Sequence, residues 1–158
     1  MAYLHGRMFS FVSLMAQEVI VVCYAQSFQM NDTRRTDTSI KKFVRQHLGC
    51  ACPDEVFENI TVTEQSGIFS SANTVYEIGG RLFVAVIVPE DWHAMASHLG
   101  KFVDAGKQYR DRHGYNRFRL VIATNGHDAT KNLQLIFDGL PNIDEKTHLH
   151  VITPELLP

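Results

Sequence analysis

The chain of 158 residues is 45% hydrophobic, 10% aromatic and 20% charged, a composition typical of a globular domain that excludes a disordered or fibrous protein. Fifteen Lys and Arg against 17 Asp and Glu leave a net charge of −2, too small to draw the whole molecule to nucleic acid or to an anionic membrane. Three cysteines, an odd number, do not make the framework of a disulfide-rich secreted protein, so we expect a reducing compartment, the cytoplasm.

The first 29 residues form a distinct apolar leader. Residues 8–29 are mostly apolar, but Gln17 and Glu18 interrupt them, and a polar run follows from Met30. Three interpretations stay open: a natural start at Met30, a genuine structural segment, and an export signal or anchor through residues 8–29. The internal carboxylate and the basic residues that follow the segment oppose export. We therefore expect residues 1–29 to be dispensable for folding and residues 30–158 to form a single α/β domain.

Two short helices are predicted next. Ser39 is suited to cap a helix whose apolar residues recur at helical spacing, and Gly49 is suited to end it. Cys52 is predicted to cap a second helix, because Pro53 suits the first helical position and Asp54 favours the positive end of the helix dipole.

Apolar runs in the rest of the chain predict five strands, over residues 60–65, 74–78, 81–88, 118–124 and 147–153. Gly79 and Gly80 predict a tight hairpin between the second and third strands. The third and fourth strands are apolar on both faces, so we expect them to be adjacent, parallel and covered on both sides.

Helices predicted over residues 89–113 and 128–138 connect the last three strands, and such crossover connections give parallel pairing. The predicted fold class is therefore α/β, with a single mixed sheet flanked by helices in the order α-α-β-β-β-α-β-α-β.

This order resembles, in topology only, the nuclease core of restriction-endonuclease-like proteins over about 90 residues. That resemblance implies an acid on the second strand, with an acid and a lysine on the third, to hold a metal and activate water. Glu77 stands on the second strand, whereas residues 81–88 contain neither an acid nor a lysine. For function, the resemblance implies at most a degenerate nuclease-like domain without its catalytic acids.

The most specific local feature is the H-x-x-C-x-C pattern of His47, Cys50 and Cys52. Two thiols at the start of a helix suit either redox chemistry or a soft metal, for which His47 would add a nitrogen. His148 and His150 alternate along the last strand and so share one face. These five residues would form a zinc or iron site if the last strand passes near the joint between the first two helices.

An ordinary structural interpretation competes with the thiol or metal centre, and we favour it at this stage. One of the two cysteines is then a small buried apolar residue and the other a helix cap, while the strand histidines are hydrogen-bonded in the fold. Asp54 and Glu55 also disfavour a nearby thiolate. A disulfide between Cys50 and Cys52 would close a small ring, which suits an oxidant better than a structural link.

Basic side chains are concentrated on the long helix and the strand that follows it: Lys101, Lys107, Arg110, Arg112, Arg117 and Arg119. This excess is typical of a face that docks an anionic partner, and equally of the solvated side of a helix. The alternative function is thus a non-catalytic protein-interaction module that docks through this helix or forms a homodimer through a sheet edge. No P-loop, dinucleotide-binding, nucleophile-elbow or H-E-x-x-H motif is present, so the sequence leaves open whether the protein is an enzyme.

Overall fold

The computed structural model describes residues 37–64 and 74–158. The predicted leader, residues 1–29, and the loop predicted at 66–73 lie outside these ranges. No helix within the described ranges is both long and apolar enough to cross a bilayer.

Five strands form one sheet in chain order: β1 (Ile60–Glu64), β2 (Thr74–Ile78), β3 (Leu82–Ile87), β4 (Arg117–Ala123) and β5 (Thr147–Ile152). β1 pairs with β2 and β2 with β3 in antiparallel fashion, whereas β3, β4 and β5 pair in parallel. The predicted mixed α/β sheet is confirmed, and the fully buried β3 lies beside β4 as expected. Gly79 and Gly80 both have positive φ angles, which the tight β2–β3 turn requires.

Helices cover both faces of the sheet. They are α1 (residues 37–46), a 3-10 helix (Asp54–Glu58), α2 (Trp92–Ala96), α3 (Leu99–His113), α4 (Ala129–Asp138) and a second 3-10 helix (Pro154–Leu156). Side chains of β3 and β4 alternate between two apolar layers. Phe83 and Leu120 pack with α3 and α4, whereas Val84 and Val121 pack with α1 and the first 3-10 helix.

The helices differ from the prediction in three places. Ser39 lies inside α1 rather than at its cap, because residues 37 and 38 are already helical. The second predicted helix is a short 3-10 helix that starts after Pro53, and no side chain caps it. The long predicted helix is divided into α2 and α3 at Ser97 and His98. Ser97 Oγ and His98 Nδ1 both lie within 3.0 Å of the Ala94 carbonyl oxygen, where they compete with main-chain bonding.

Candidate functional site

The C-x-C segment is held against α1 at both of its ends. Gly49 takes a φ of +62°, which ends the helix and lets the Cys50 N–H donate to the Val44 carbonyl at 3.2 Å. Arg45 Nη2 donates to the carbonyl oxygen of Cys52 at 2.8 Å. The main chain around both cysteines is therefore fixed relative to the helix.

The sulfurs of Cys50 and Cys52 are bonded to each other, and their Cα atoms lie 5.2 Å apart, within the usual range for a disulfide. Both residues are half-buried. The structural interpretation of one buried cysteine and one helix cap is therefore wrong. Cys52 cannot cap the 3-10 helix because its sulfur is bonded to Cys50, and Pro53 occupies the cap position.

The carboxylate of Asp54, expected to oppose a thiolate, is paired with two cations. Lys41 Nζ lies 3.0 Å from Asp54 Oδ1, and Arg45 Nη2 lies 2.5 Å from the same oxygen. The hydrogen bond from Lys41, followed by that from Arg45, lowers the pKa of Asp54. Its negative charge is thus largely offset beside the cysteines.

A cavity of about 190 Å³ opens beside the disulfide, at the amino ends of β3 and β4. It is lined by Cys50, Cys52, Pro53, Val56, Arg81, Leu82, Asn116, Arg117 and Arg119. Three of these residues are arginines and none is acidic. The register that pairs Leu82 with Arg117 brings the three arginines to one end of the sheet.

Arg119 lies deeper than the other two arginines, which are exposed. Its Nη1 is 2.8 Å from Nε2 of His150 on β5, and its Nε is buried without a hydrogen-bond partner. Burial, together with the charge of Arg119, lowers the pKa of His150 to about 4. The imidazole is therefore neutral near pH 7, and its Nε2 can accept the hydrogen bond.

The five residues predicted as a thiol or metal centre are not brought together as ligands. His47 is exposed and lies beside the ring of Phe43, with 5.9 Å between ring centroids. His148 and His150 lie on β5, and His150 faces Arg119. Within residues 37–64 and 74–158, no three His, Cys, Asp or Glu side chains are placed to hold a metal. The zinc or iron site stays a prediction without a ligand set.

The six basic residues predicted as a docking face differ in exposure and in partners. Arg110 is 3% exposed and bonds to the partly exposed Asp144, so it is not available to a partner. Lys107 lies 3.9 Å from the same carboxylate. Arg117 and Arg119 line the cavity, whereas Lys101 and Arg112 are exposed on α3.

Sequence reasoning missed Arg81 and the cavity itself. Arg81 directly follows the hairpin glycines, and its carbonyl accepts hydrogen bonds from the backbone N–H groups of Asn116 and Arg117 at 2.8 and 3.2 Å. The sequence signal that could have found them is the predicted parallel pairing of the third and fourth strands, because this pairing aligns the amino ends of the two strands.

A second polar cluster lies around Glu77 on β2. The hydroxyls of Tyr109 and Tyr115 donate to the same Glu77 oxygen at 2.8 and 2.6 Å. Burial, with the hydrogen bond to Glu77, raises the pKa of Tyr109 to about 12. The carboxylate that stands where the nuclease resemblance implies a metal ligand is therefore engaged by two tyrosines.

No protein-family model, curated protein or solved structure matches this chain.

Proposed function

We propose that the protein is a thiol–disulfide redox protein whose reactive groups are Cys50 and Cys52. The observation that supports this function is a bond between two half-exposed cysteines, two positions apart, in the wall of a cavity. Disulfides exchange when a thiolate can reach one of the sulfurs, and exposed disulfides are the labile ones.

A purely structural role for this bond has little thermodynamic basis. In the chain-entropy model, closing a loop of three residues contributes about 1.6 kcal/mol, against about 3 kcal/mol for a loop of 15 residues. Neither cysteine is among the buried residues of the two apolar layers, although both pack against the layer that includes α1. A bond that closes so short a loop adds less to stability than one across a longer loop, which suits a bond that opens and closes in function.

The proposed reaction is a two-step exchange. One cysteine thiolate of the reduced protein attacks a sulfur of a substrate disulfide, the substrate S–S bond breaks, and one substrate thiolate leaves. The second cysteine thiolate then attacks the protein sulfur of the mixed disulfide, forming the Cys50–Cys52 bond and releasing the second substrate thiolate. Two electrons pass to the substrate, and the protons of the two cysteine thiols pass to solvent or to the released thiolates. The reverse steps oxidise a substrate dithiol.

The charges around the cavity favour this chemistry over metal binding. The guanidinium groups of Arg81, Arg117 and Arg119 favour thiolate formation, because positive charge nearby stabilises the anion. The same charges oppose the approach of a metal cation. A transient disulfide is also the kind found in the cytoplasm, the compartment expected from the cysteine count.

The alternative functions have less support. An interaction module that docks through the basic helix would lack Arg110, which is buried. A degenerate nuclease-like domain would have to use Glu77, whose oxygen accepts two tyrosine hydroxyls. The resemblance to the restriction-endonuclease topology therefore contributes no catalytic residue to the proposed function.

Thiol exchange by single-cysteine variants tests the proposal. In a Cys23→Ser background, which removes the third thiol, we expect the reduced protein to consume a small disulfide and to regain the Cys50–Cys52 bond. Cys50→Ser and Cys52→Ser should each stop after the first step, and mass spectrometry should detect a trapped mixed disulfide in at least one of them. A background protein that does not exchange, or one that binds stoichiometric zinc through these thiols, would refute the function.

A further inference from the structure

We infer that the cavity beside Cys50 and Cys52 binds an acid group of a small anionic disulfide substrate, with Arg119 as the central binding residue. This inference rests on the proposed function, because it names the substrate class of the same site.

The first support is an uncompensated positive charge. Arg81, Arg117 and Arg119 line the cavity, and none of the ion pairs within the described ranges involves them. Arg117 is bonded instead to a neutral group, the carbonyl oxygen of Glu145. Three guanidinium groups thus converge in a protein whose net charge is −2. An anion entering the cavity would meet positive charge that the residues described by the structure do not neutralise.

The second support is the state of Arg119. Its only hydrogen-bonding neighbour in the described part of the chain is the neutral imidazole of His150, and its buried Nε has none. A buried guanidinium normally faces a carboxylate or phosphate, because its fork of N–H groups matches two acceptor oxygens. Arg119 is thus held at Nη1 by a neutral side chain, and no acidic side chain of the described residues balances its charge.

The size of the cavity points to a small molecule. A volume of about 190 Å³ is below the roughly 300 to 1,000 Å³ of sites for drug-sized ligands, and it suits one short acid arm. Cys50 and Cys52 line the same space as the arginines. An acid group bound to Arg119 would therefore lie close enough to the two cysteines for a short substrate molecule to contact both.

Matched disulfides that differ in charge test the inference. The probes are 3,3′-dithiodipropionate, which carries two carboxylates, and 2-hydroxyethyl disulfide, which has the same spacing but is neutral. We expect the reduced protein to prefer the dianion, and Arg119→Gln to lower the ratio of the two rates about tenfold, the effect of losing one charged hydrogen-bond contact. Arg112→Gln is the control, because this exposed residue of α3 does not line the cavity, and it should leave the ratio unchanged.

Arg81→Gln provides a second variant, which changes an exposed side chain and so does not depend on refolding around a buried site. It should lower the same ratio by about threefold, because an exposed charge acts through solvent. If Arg112→Gln lowers the ratio of the two rates as much as the cavity variants do, long-range attraction alone explains the preference for the dianion, and the inference is overturned.

Binding is measured separately from redox chemistry. Calorimetry with 3,3′-thiodipropionate, a thioether that cannot exchange, should detect binding to the oxidised protein, weakened by Arg119→Gln and by added salt. Exchange at similar rates with both disulfides, without binding of the thioether, would overturn the inference and leave the proposed function intact. Thioether binding without exchange would refute the redox function, and with it the assignment of a disulfide substrate.

Discussion

At the scale of single residues, Arg110 illustrates how the fold accommodates a buried charge. Its side chain is 4% exposed, and its Nη1 and Nη2 donate to the two oxygens of Asp144 at 2.8 and 2.7 Å. Thr147 Oγ1 accepts from Arg110 and donates to Asp144, which completes the cluster. The hydrogen bonds from Arg110 hold the pKa of Asp144 well below its usual range.

Removing the charge of Asp144 should destabilise the protein. We expect Asp144→Asn to lower the free energy of unfolding by about 2 to 3 kcal/mol, because it leaves a buried guanidinium without its counter-charge; the partial exposure of Asp144 keeps the loss below that of a fully buried pair. Asp111→Asn is the matched control. Asp111 also bonds to Arg110 but is 65% exposed, so its loss should cost less than about 1 kcal/mol. Urea denaturation measures both.

The effect of Asp144 depends on pH in a defined direction. A carboxyl whose pKa is lowered by folding stabilises the folded state above its unfolded pKa of about 3.9, and the stabilisation is lost as the pH falls below that value. The difference between wild type and Asp144→Asn should therefore be constant near neutrality and shrink in acid. Equal stability of the two proteins at pH 7 would contradict this account of the ion pair.

The candidate site was predictable from sequence only where neighbouring residues define it. The C-x-C spacing placed Cys50 and Cys52 close together, and strand alternation placed His148 and His150 on one face. Their actual partners could not all be predicted. The sequence left the Cys50–Cys52 disulfide as one of several options, and the Arg119–His150 contact depends on which strands pair, which only the folded chain defines.

At the scale of elements, α3 crosses β4 at unusually short range. Gly106 of α3 is buried, and a Cβ atom at this position would collide with the ring of Phe118. The ring has little room to move, because it stacks on Phe83 at a centroid distance of 5.3 Å. The close approach of helix and sheet therefore requires a residue without a side chain.

Two glycines of α3 should respond differently to alanine. Gly106→Ala should destabilise the protein by about 1 to 3 kcal/mol, the usual cost of overpacking a core. At Gly100 the new Cβ would meet only the end of the Leu140 side chain, at 3.3 Å, so the gain in helix propensity should leave Gly100→Ala near neutral or slightly stabilised. Thermal denaturation followed by circular dichroism compares them. A stabilised Gly106→Ala would show that α3 is not held as closely as described.

The strands were easier to predict than the helices. Each predicted strand agrees with the structure to within one residue at either end, because continuous or alternating apolar runs are long enough to specify burial. The helix after Pro53 was predicted but not its 3-10 form, and the break between α2 and α3 was missed. Both depend on a few side-chain and main-chain hydrogen bonds that a periodicity of apolar residues does not encode.

At the scale of the whole molecule, the sheet separates two layers with different roles. α3 and α4 cover one face and form the larger apolar cluster. α1 and the first 3-10 helix cover the other face, and the segment between them contains the disulfide. The proposed reaction thus takes place at the edge of a layer, where a bond can open without disturbing the core on the far side of the sheet.

This arrangement leads to a prediction about the minimal folding unit. In the part of the chain that the structure describes, both layers are built from residues at or after Ile40, so we expect a chain that starts at Met30 to retain them. We expect its melting temperature to lie within about 4 °C of the full-length value, corresponding to about 1 kcal/mol or less for a chain of this size. The denaturant m-value should change little, because it scales with the surface exposed on unfolding.

A deeper deletion provides the control for this experiment. Removing residues 1–48 also removes α1, whose Ile40, Phe43 and Val44 bury Tyr76 and Val121 on the sheet. That variant should lose cooperative unfolding, because one face of the sheet is left uncovered. If the Met30-start protein instead melts as poorly as this control, the apolar leader contributes to the folded core, and the assignment of an independent domain to residues 30–158 is wrong.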